Sequence, residues 1–180
     1  KQLRPIVSIA VFTGMRRGEI LGLKWHDIDF KNSTITILNT KNGEKREIYI
    51  NEQVKDVLIR VRKHIKSQYI FCDINGKPFY NIRKSFSTAC KKSGINSFRF
   101  HDLRHTFASQ LVMSGFDINT VRELLGHKDI RMTLRYSHLS QNYKRRALDV
   151  LGSRIDTGKT LDDSNEIVKN ISLLQPSEVK

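Results

Sequence analysis

The sequence predicts a mainly helical α+β domain with one small antiparallel sheet. Three observations carry that prediction. Apolar residues recur at helical spacing through most of the 180 residues, two short β-branched segments flank an Asn-Gly turn, and glycines close successive periodic blocks. Residues 3–13 and 17–24 read as two short helices parted at Thr13-Gly14, with Val7, Ile9, Ala10 and Val11, then Ile20, Leu21 and Leu23, turned inward. Residues 25–29 read as a turn. Residues 34–38 and 46–50 read as the strands of a hairpin around Asn42-Gly43. The period then changes, and Val54, Val57, Leu58, Val61 and Ile65 form one stripe of a helix over 52–66. Asn75-Gly76-Lys77-Pro78 marks a loop, and 81–92 is a helix ended by Gly94. The second half is helical. A helix over 101–113 turns Phe107, Leu111 and Val112 inward and closes at Ser114-Gly115. Asp117 caps a short helix through Ile118, Val121, Leu124 and Leu125 that Gly126 ends. Asp129 opens another, reaching His138, and 142–151 gives a last one.

This length suits one domain, or one domain with an appendage, and suffices to bury a real core. After Gly152 the composition turns acidic and polar, which predicts a domain over 1–152 and a tail over 153–180. Within the tail, Ile167, Ile171 and Leu174 form an i, i+4, i+7 stripe behind Asp162-Asp163-Ser164, so a docking helix and a flexible tail both stand as readings. The chain carries 32 Lys and Arg against 18 Asp and Glu, a net charge of +14. The last 26 residues hold 3 basic and 5 acidic side chains, which leaves 29 against 13, a net +16, on residues 1–154. So basic a body favours a polyanionic partner, because neutralised phosphates release counterions, and nucleic acid is the first choice. No apolar run approaches a membrane span, and the opening KQLRPIVSIAVFTG is too short for a secretory signal. Cys72 and Cys90 stand far apart without a C-x-x-C pattern, so they read as inert thiols in a reducing cytoplasm. Secreted, membrane-spanning and collagen-like classes are excluded. The lack of an initiating Met suggests a piece of a longer polypeptide.

A basic protein that breaks a phosphodiester without a metal needs planar cations to grip phosphate oxygens, which selects Arg over Lys. It also needs a nucleophile, an acid for the leaving oxygen, and donors aimed at the developing charge. Candidates sit at breaks and helix ends: Arg16 and Arg17 after Thr13-Gly14, Lys41 at the hairpin tip, His101 to His105, His127 after Leu124-Leu125-Gly126, and Tyr136. A Ser-His-Asp triad has no support. Zinc is disfavoured: His101 and His105 are spaced i, i+4, but Asp102 stands where a zincin needs Glu, and Arg104 lies between the histidines.

These boxes together resemble the tyrosine recombinases, the phage-integrase family, over residues 1–150. The matching text is Thr13-Gly14-Met15-Arg16-Arg17-Gly18-Glu19-Ile20, Thr40-Lys41, His101-Asp102-Leu103-Arg104-His105-Thr106, Leu124-Leu125-Gly126-His127 and Tyr136-Ser137-His138, in the family's order. The resemblance implies a tyrosine-recombinase-like catalytic fold in which Arg16 and Arg104 clamp the scissile phosphate. It makes Lys41 the acid for the 5′ oxygen, with Lys45 its competitor. His101 becomes the residue assisting proton transfer at the nucleophile, His127 a hydrogen-bond donor to the phosphate, and Tyr136 the nucleophile of a 3′-phosphotyrosyl link. Glu19 matches an acidic position that buttresses Arg16. Arg17 fits surface or DNA-backbone contact, His105 helix packing or hydrogen bonding, and His138 support of the tyrosine's helix. His26 and His64 read as surface residues. A phenol with a pKa near ~10 is a poor nucleophile, and a site among Arg16, Arg104 and His127 is expected to lower the cost of its phenolate.

The resemblance further implies double-stranded DNA as partner, with no cofactor, metal or ATP, and cytoplasmic location at the nucleoid. It implies a homotetramer on synapsed sites, weakly associated without DNA, and site-specific recombination for a phage or other mobile element. An amino-terminal DNA-binding domain is expected outside this chain, leaving the catalytic half. A type IB topoisomerase-like nicking–closing enzyme and a non-catalytic DNA-binding module are the alternatives.

Overall fold

The computed structural model describes residues 2–39, 44–140 and 148–152, in two units over 1–140 and 141–180. In the second unit the described residues 148–152 are helical. The whole of the 153–180 tail, with its docking-helix reading, and most of the 142–151 helix lie outside the described residues, as does Lys41.

The first unit is mainly helical with one three-stranded antiparallel sheet, as the residue pattern predicts. Helix α1 (Leu3–Thr13) buries Ile6, Ile9 and Ala10. It stops at Gly14, whose left-handed backbone (φ 63°) and contact with the Phe107 ring both exclude a Cβ. Helix α2 (Arg17–Leu21) is shorter than the predicted 17–24. From Gly22 the chain extends, because Leu23 and Trp25 bond the backbone of Ile70 and Gln68 instead of continuing the helix. The expected turn at 25–29 holds one 3₁₀ turn (Trp25–Asp27) and strand β1 (Ile28–Asp29). Strands β2 (Thr34–Asn39) and β3 (Glu44–Tyr49) follow, with Ile35 opposite both Ile28 and Ile48. Alternation places Ile35, Ile48 and, just past the strand, Ile50 in the core.

Helix α3 (Glu52–Arg60), capped by the Asn51 side chain, is the largest departure from the sequence reading. The apolar stripe predicts a helix to Lys66, but Val61 is already extended and Ile65 is 99 % exposed. Continuing the helix would stack Arg62 over Lys66, and it would forgo burial of Ile70 and Phe71 on the extended return path. Helices α4 (Arg83–Lys92), α5 (Asp102–Met113) and α6 (Ile118–Leu125) lie within two residues of their predicted spans. The Asp117 carboxylate accepts from the Asn119 and Thr120 N–H groups, and Gly126 closes α6 with φ 63°. The helix expected over 129–138 is instead the four-residue α7 (Arg131–Leu134) and a 3₁₀ turn (Ser137–Ser140), because Tyr136 and Leu139 donate to carbonyls three residues back. Two apolar clusters result. One joins α1–α4 and the sheet, and the other joins Ala108 and Val112 of α5, Val121 and Leu125 of α6, and Tyr136.

Candidate active site

The start of α2, the start of α5 and the end of α6 are joined by the hydrogen bonds of two arginines. Arg104, on the first turn of α5, is only 4 % exposed, a burial a guanidinium tolerates when its donors are satisfied. Its Nη1 donates to the Gly14 carbonyl and its Nη2 to the Leu125 carbonyl, both at 2.6 Å. Burial, and then the charge of Arg16, bring its pKa down to about 10, so it stays cationic at neutral pH. Arg16 precedes α2 and remains partly open. Its backbone N–H donates to Glu19 Oε2 at 2.8 Å, its Nη1 to Glu19 Oε1 at 3.0 Å and its Nη2 to the Gly126 carbonyl at 3.4 Å. Glu19 therefore braces Arg16 through both main chain and side chain. Arg17 is exposed.

His127 follows the left-handed Gly126, and its Nδ1 lies 2.9 Å from Oγ1 of the buried Thr133. Burial, then the charges of Arg104, Arg16 and Arg46, push its pKa down to about 4, which leaves a neutral ring. His101 abuts the start of α5 and is also held below the ordinary histidine range, by burial and then Arg104. Its ring meets that of His105 edge-on at 4.8 Å between centroids.

Tyr136 is 6 % exposed, and its hydroxyl is hydrogen-bonded to His105 Nδ1. Burial, with a further push from His101, holds the pKa of His105 below the ordinary histidine value. The expectation of an easier phenolate is corrected here. Burial raises the Tyr136 pKa, and the opposing charges of Arg135 and Arg104 do not overcome it. The Tyr136 ring is packed in the second apolar cluster. A cleft of about 420 Å³ brings together His101, Arg104, His105, His127, Arg131, Met132, Arg135 and Tyr136.

The structure thus gathers Arg16, Glu19, His101, Arg104, His127 and Tyr136 in one neighbourhood; Lys41 lies outside the described residues. Lys45, the alternative to Lys41, pairs with Glu47 at 3.0 Å. Sequence reasoning read His105 as a packing or hydrogen-bonding residue without naming its partner, the Tyr136 hydroxyl, and it missed two further residues, Thr133 on His127 and Arg46 between Glu19 and Leu125. Arg46 carried a readable signal, since period two sets it on the same strand face as buried Ile48 and Ile50. Among the described residues no three His, Cys, Asp or Glu side chains cluster as a metal site, and no helix is long and apolar enough to cross a membrane. Cys72 and Cys90 are buried free thiols.

Two arginines anchored on main-chain carbonyls, a histidine after a helix stop and a tyrosine thus lie close together, a set of groups with the chemistry to bind an anion. The chain belongs to the phage integrase family, whose sequence model matches residues 1–143. It is 37 % identical over 134 residues to tyrosine recombinase XerA of Saccharolobus solfataricus, covering 74 % of this chain and 45 % of that protein. It is 32 % identical over 155 residues to the integrase of Salmonella phage P22, covering 78 % of this chain and 40 % of that protein. The chain therefore spans less than half the length of these two curated relatives. Among solved structures, the Tn1549 transposon integrase in complex with circular intermediate DNA superposes with a TM-score of 0.69 at 27 % identity, over 82 % of this chain and 59 % of that one.

Proposed function

We propose that this chain is the catalytic portion of a site-specific DNA recombinase that cuts and rejoins double-stranded DNA through a 3′-phosphotyrosyl intermediate. The observation that carries the reading is the convergence of Arg104, His127 and Tyr136 on one cleft, with Arg16 tied to the Gly126 carbonyl beside it. The likeness to an integrase whose structure holds DNA, and the basic character of residues 1–154, support DNA as substrate.

In this reading Arg16 and Arg104 grip the non-bridging oxygens and stabilise the charge that grows on them in the pentavalent transition state. Neutral His127 donates a further hydrogen bond. Tyr136 Oη attacks phosphorus, a P–O(Tyr) bond forms, and the P–O5′ bond breaks. The phenol proton passes to His105, with His101 behind it, and the 5′ oxygen takes its proton from Lys41. The phosphodiester energy stays in the covalent link, so rejoining is the reverse attack by a 5′-hydroxyl and needs no ATP. The guanidinium groups supply the charge compensation that a metal would otherwise give. Residues 1–152 form the catalytic domain, with a DNA-binding domain elsewhere in the full protein. The active assembly is a tetramer on two paired sites, and residues 153–180 link its subunits. Integration or excision of a mobile element is the biological reaction this chemistry serves.

The test is a covalent trap. The protein is incubated with a nicked suicide duplex in the presence of chelator, and denaturation-resistant protein–DNA adducts are mapped. Wild type is expected to give an adduct at Tyr136, and Tyr136→Phe to bind the duplex without one. An adduct that persists in the variant overturns the assignment. Deleting residues 155–180 is expected to leave strand cleavage intact and weaken multimer formation, read by sedimentation on paired duplexes.

A further inference from the structure

We propose that Arg46, on strand β3, is a positioning residue that holds both phosphate-gripping arginines in place; the inference rests on the recombinase reading above. Its guanidinium is forked. Nη2 donates to Glu19 Oε2 at 3.1 Å, while Nη1 donates to the Leu125 carbonyl. Each acceptor already serves one arm of the grip. Glu19 binds Arg16 through its other oxygen at 3.0 Å, and the Leu125 carbonyl binds Arg104 Nη2 at 2.6 Å. Arg46 therefore bonds the two groups that aim Arg16 and Arg104, and it links them across 79 residues of sequence between β3 and the end of α6.

The surroundings are shaped to receive it. Gly126 has φ 63°, and a Cβ there would overlap the Arg46 guanidinium. Arg46 is only partly exposed, at 22 %, so its ion pair with Glu19 is better shielded than an ordinary surface pair. A lysine in its place has one compact ammonium and cannot reproduce the planar fork that reaches a carboxylate and a carbonyl together. A positive charge at this point also adds to the field that keeps His127 neutral. None of these contacts requires Arg46 to touch DNA.

The test compares wild type, Arg46→Ala and Arg46→Lys on the nicked duplex that traps wild type at Tyr136, under single-turnover conditions with saturating DNA. A second duplex carries a methylphosphonate at the scissile position, which removes one charged oxygen and with it part of the demand on the arginine grip. Arg46→Ala is expected to slow adduct formation on the phosphodiester by about 10–100-fold, the range seen when a partner that orients a charged centre is removed. DNA affinity at fixed salt is expected to change far less. On the methylphosphonate the gap to wild type is expected to shrink to within a few-fold, and Arg46→Lys is expected to fall between Ala and wild type on the phosphodiester. A fold defect would slow both duplexes alike, so an undiminished gap on the methylphosphonate overturns the proposal, as does a wild-type rate for Arg46→Ala. If melting shows that Arg46→Ala is unfolded, Arg46→Lys decides by the same comparison. Failure of wild type to form any adduct overturns the recombinase reading itself, a separable result.

Discussion

At Tyr136, burial outweighs nearby charge. The phenol sits between Ala108, Val112, Val121 and Leu125, its hydroxyl is taken by His105, and its pKa is raised. Removing the acceptor is expected to show in the pH dependence of adduct formation. His105→Phe keeps an aromatic ring and loses the nitrogen, so its rate should be lower at neutral pH and climb more steeply with alkali than that of wild type; superimposable profiles would exclude a role for His105 in proton transfer. His127 gives a stability prediction. Its pKa of about 4 in the folded chain lies below the ordinary 6.5, so the unfolded chain binds the proton first. The stability tied to its neutral ring is fully present above about 6.5 and is lost as pH falls toward 4. His101 and His105, also lowered, add in the same direction. Thermal melts across pH 4–7 should show a falling Tm for wild type and a shallower fall for His127→Gln. Tyr136, Arg104 and His127 were legible because each sits in a motif with local sequence partners. The His105–Tyr136 bond was not, since it joins residues 31 apart through packing that no periodicity reveals.

At the scale of elements, the legible features were those set by local chemistry. Asp117 capping α6, Gly14 and Gly126 ending their helices, and Ile35 facing Ile48 all follow from short-range rules. The unread features belong to tertiary competition. α3 stops at Arg60 because Ile70 and Phe71 are better buried on an extended path, and α7 yields to a 3₁₀ turn after Tyr136 docks. Gly126 tests how tightly one helix end is built into the site. Alanine there must hold φ 63°, a strain of about 1–2 kcal/mol, and must also displace Arg46. Gly126→Ala is therefore expected to lower Tm and to slow adduct formation at least as much as Arg46→Ala. A lower Tm with an unchanged rate would separate the strain from the site.

Across the whole molecule, charge and connectivity decide behaviour. DNA binding by a body with this excess of Lys and Arg is expected to weaken by at least about tenfold between roughly 50 and 200 mM salt, and a filter-binding series gives the slope. The fold brings the first box against the third and the fourth from 90 and 110 residues apart, as Arg104 meets Gly14 and Arg16 meets Gly126. The acceptors in those contacts, and in the Leu125 contact, are peptide carbonyls rather than side chains. Every amino acid carries one, so no single codon change can delete these carbonyl seats; it can only bend the ribbon that presents them, and the one side-chain seat described is the Glu19 carboxylate under Arg16. For these carbonyl seats, mutational fragility does not lie in the acceptor's side chain. It falls on the path of the chain, at Gly14 and Gly126, where the left-handed turns are made. Exhaustive substitution should find Leu125 tolerant of other apolar side chains and those two glycines nearly closed to change.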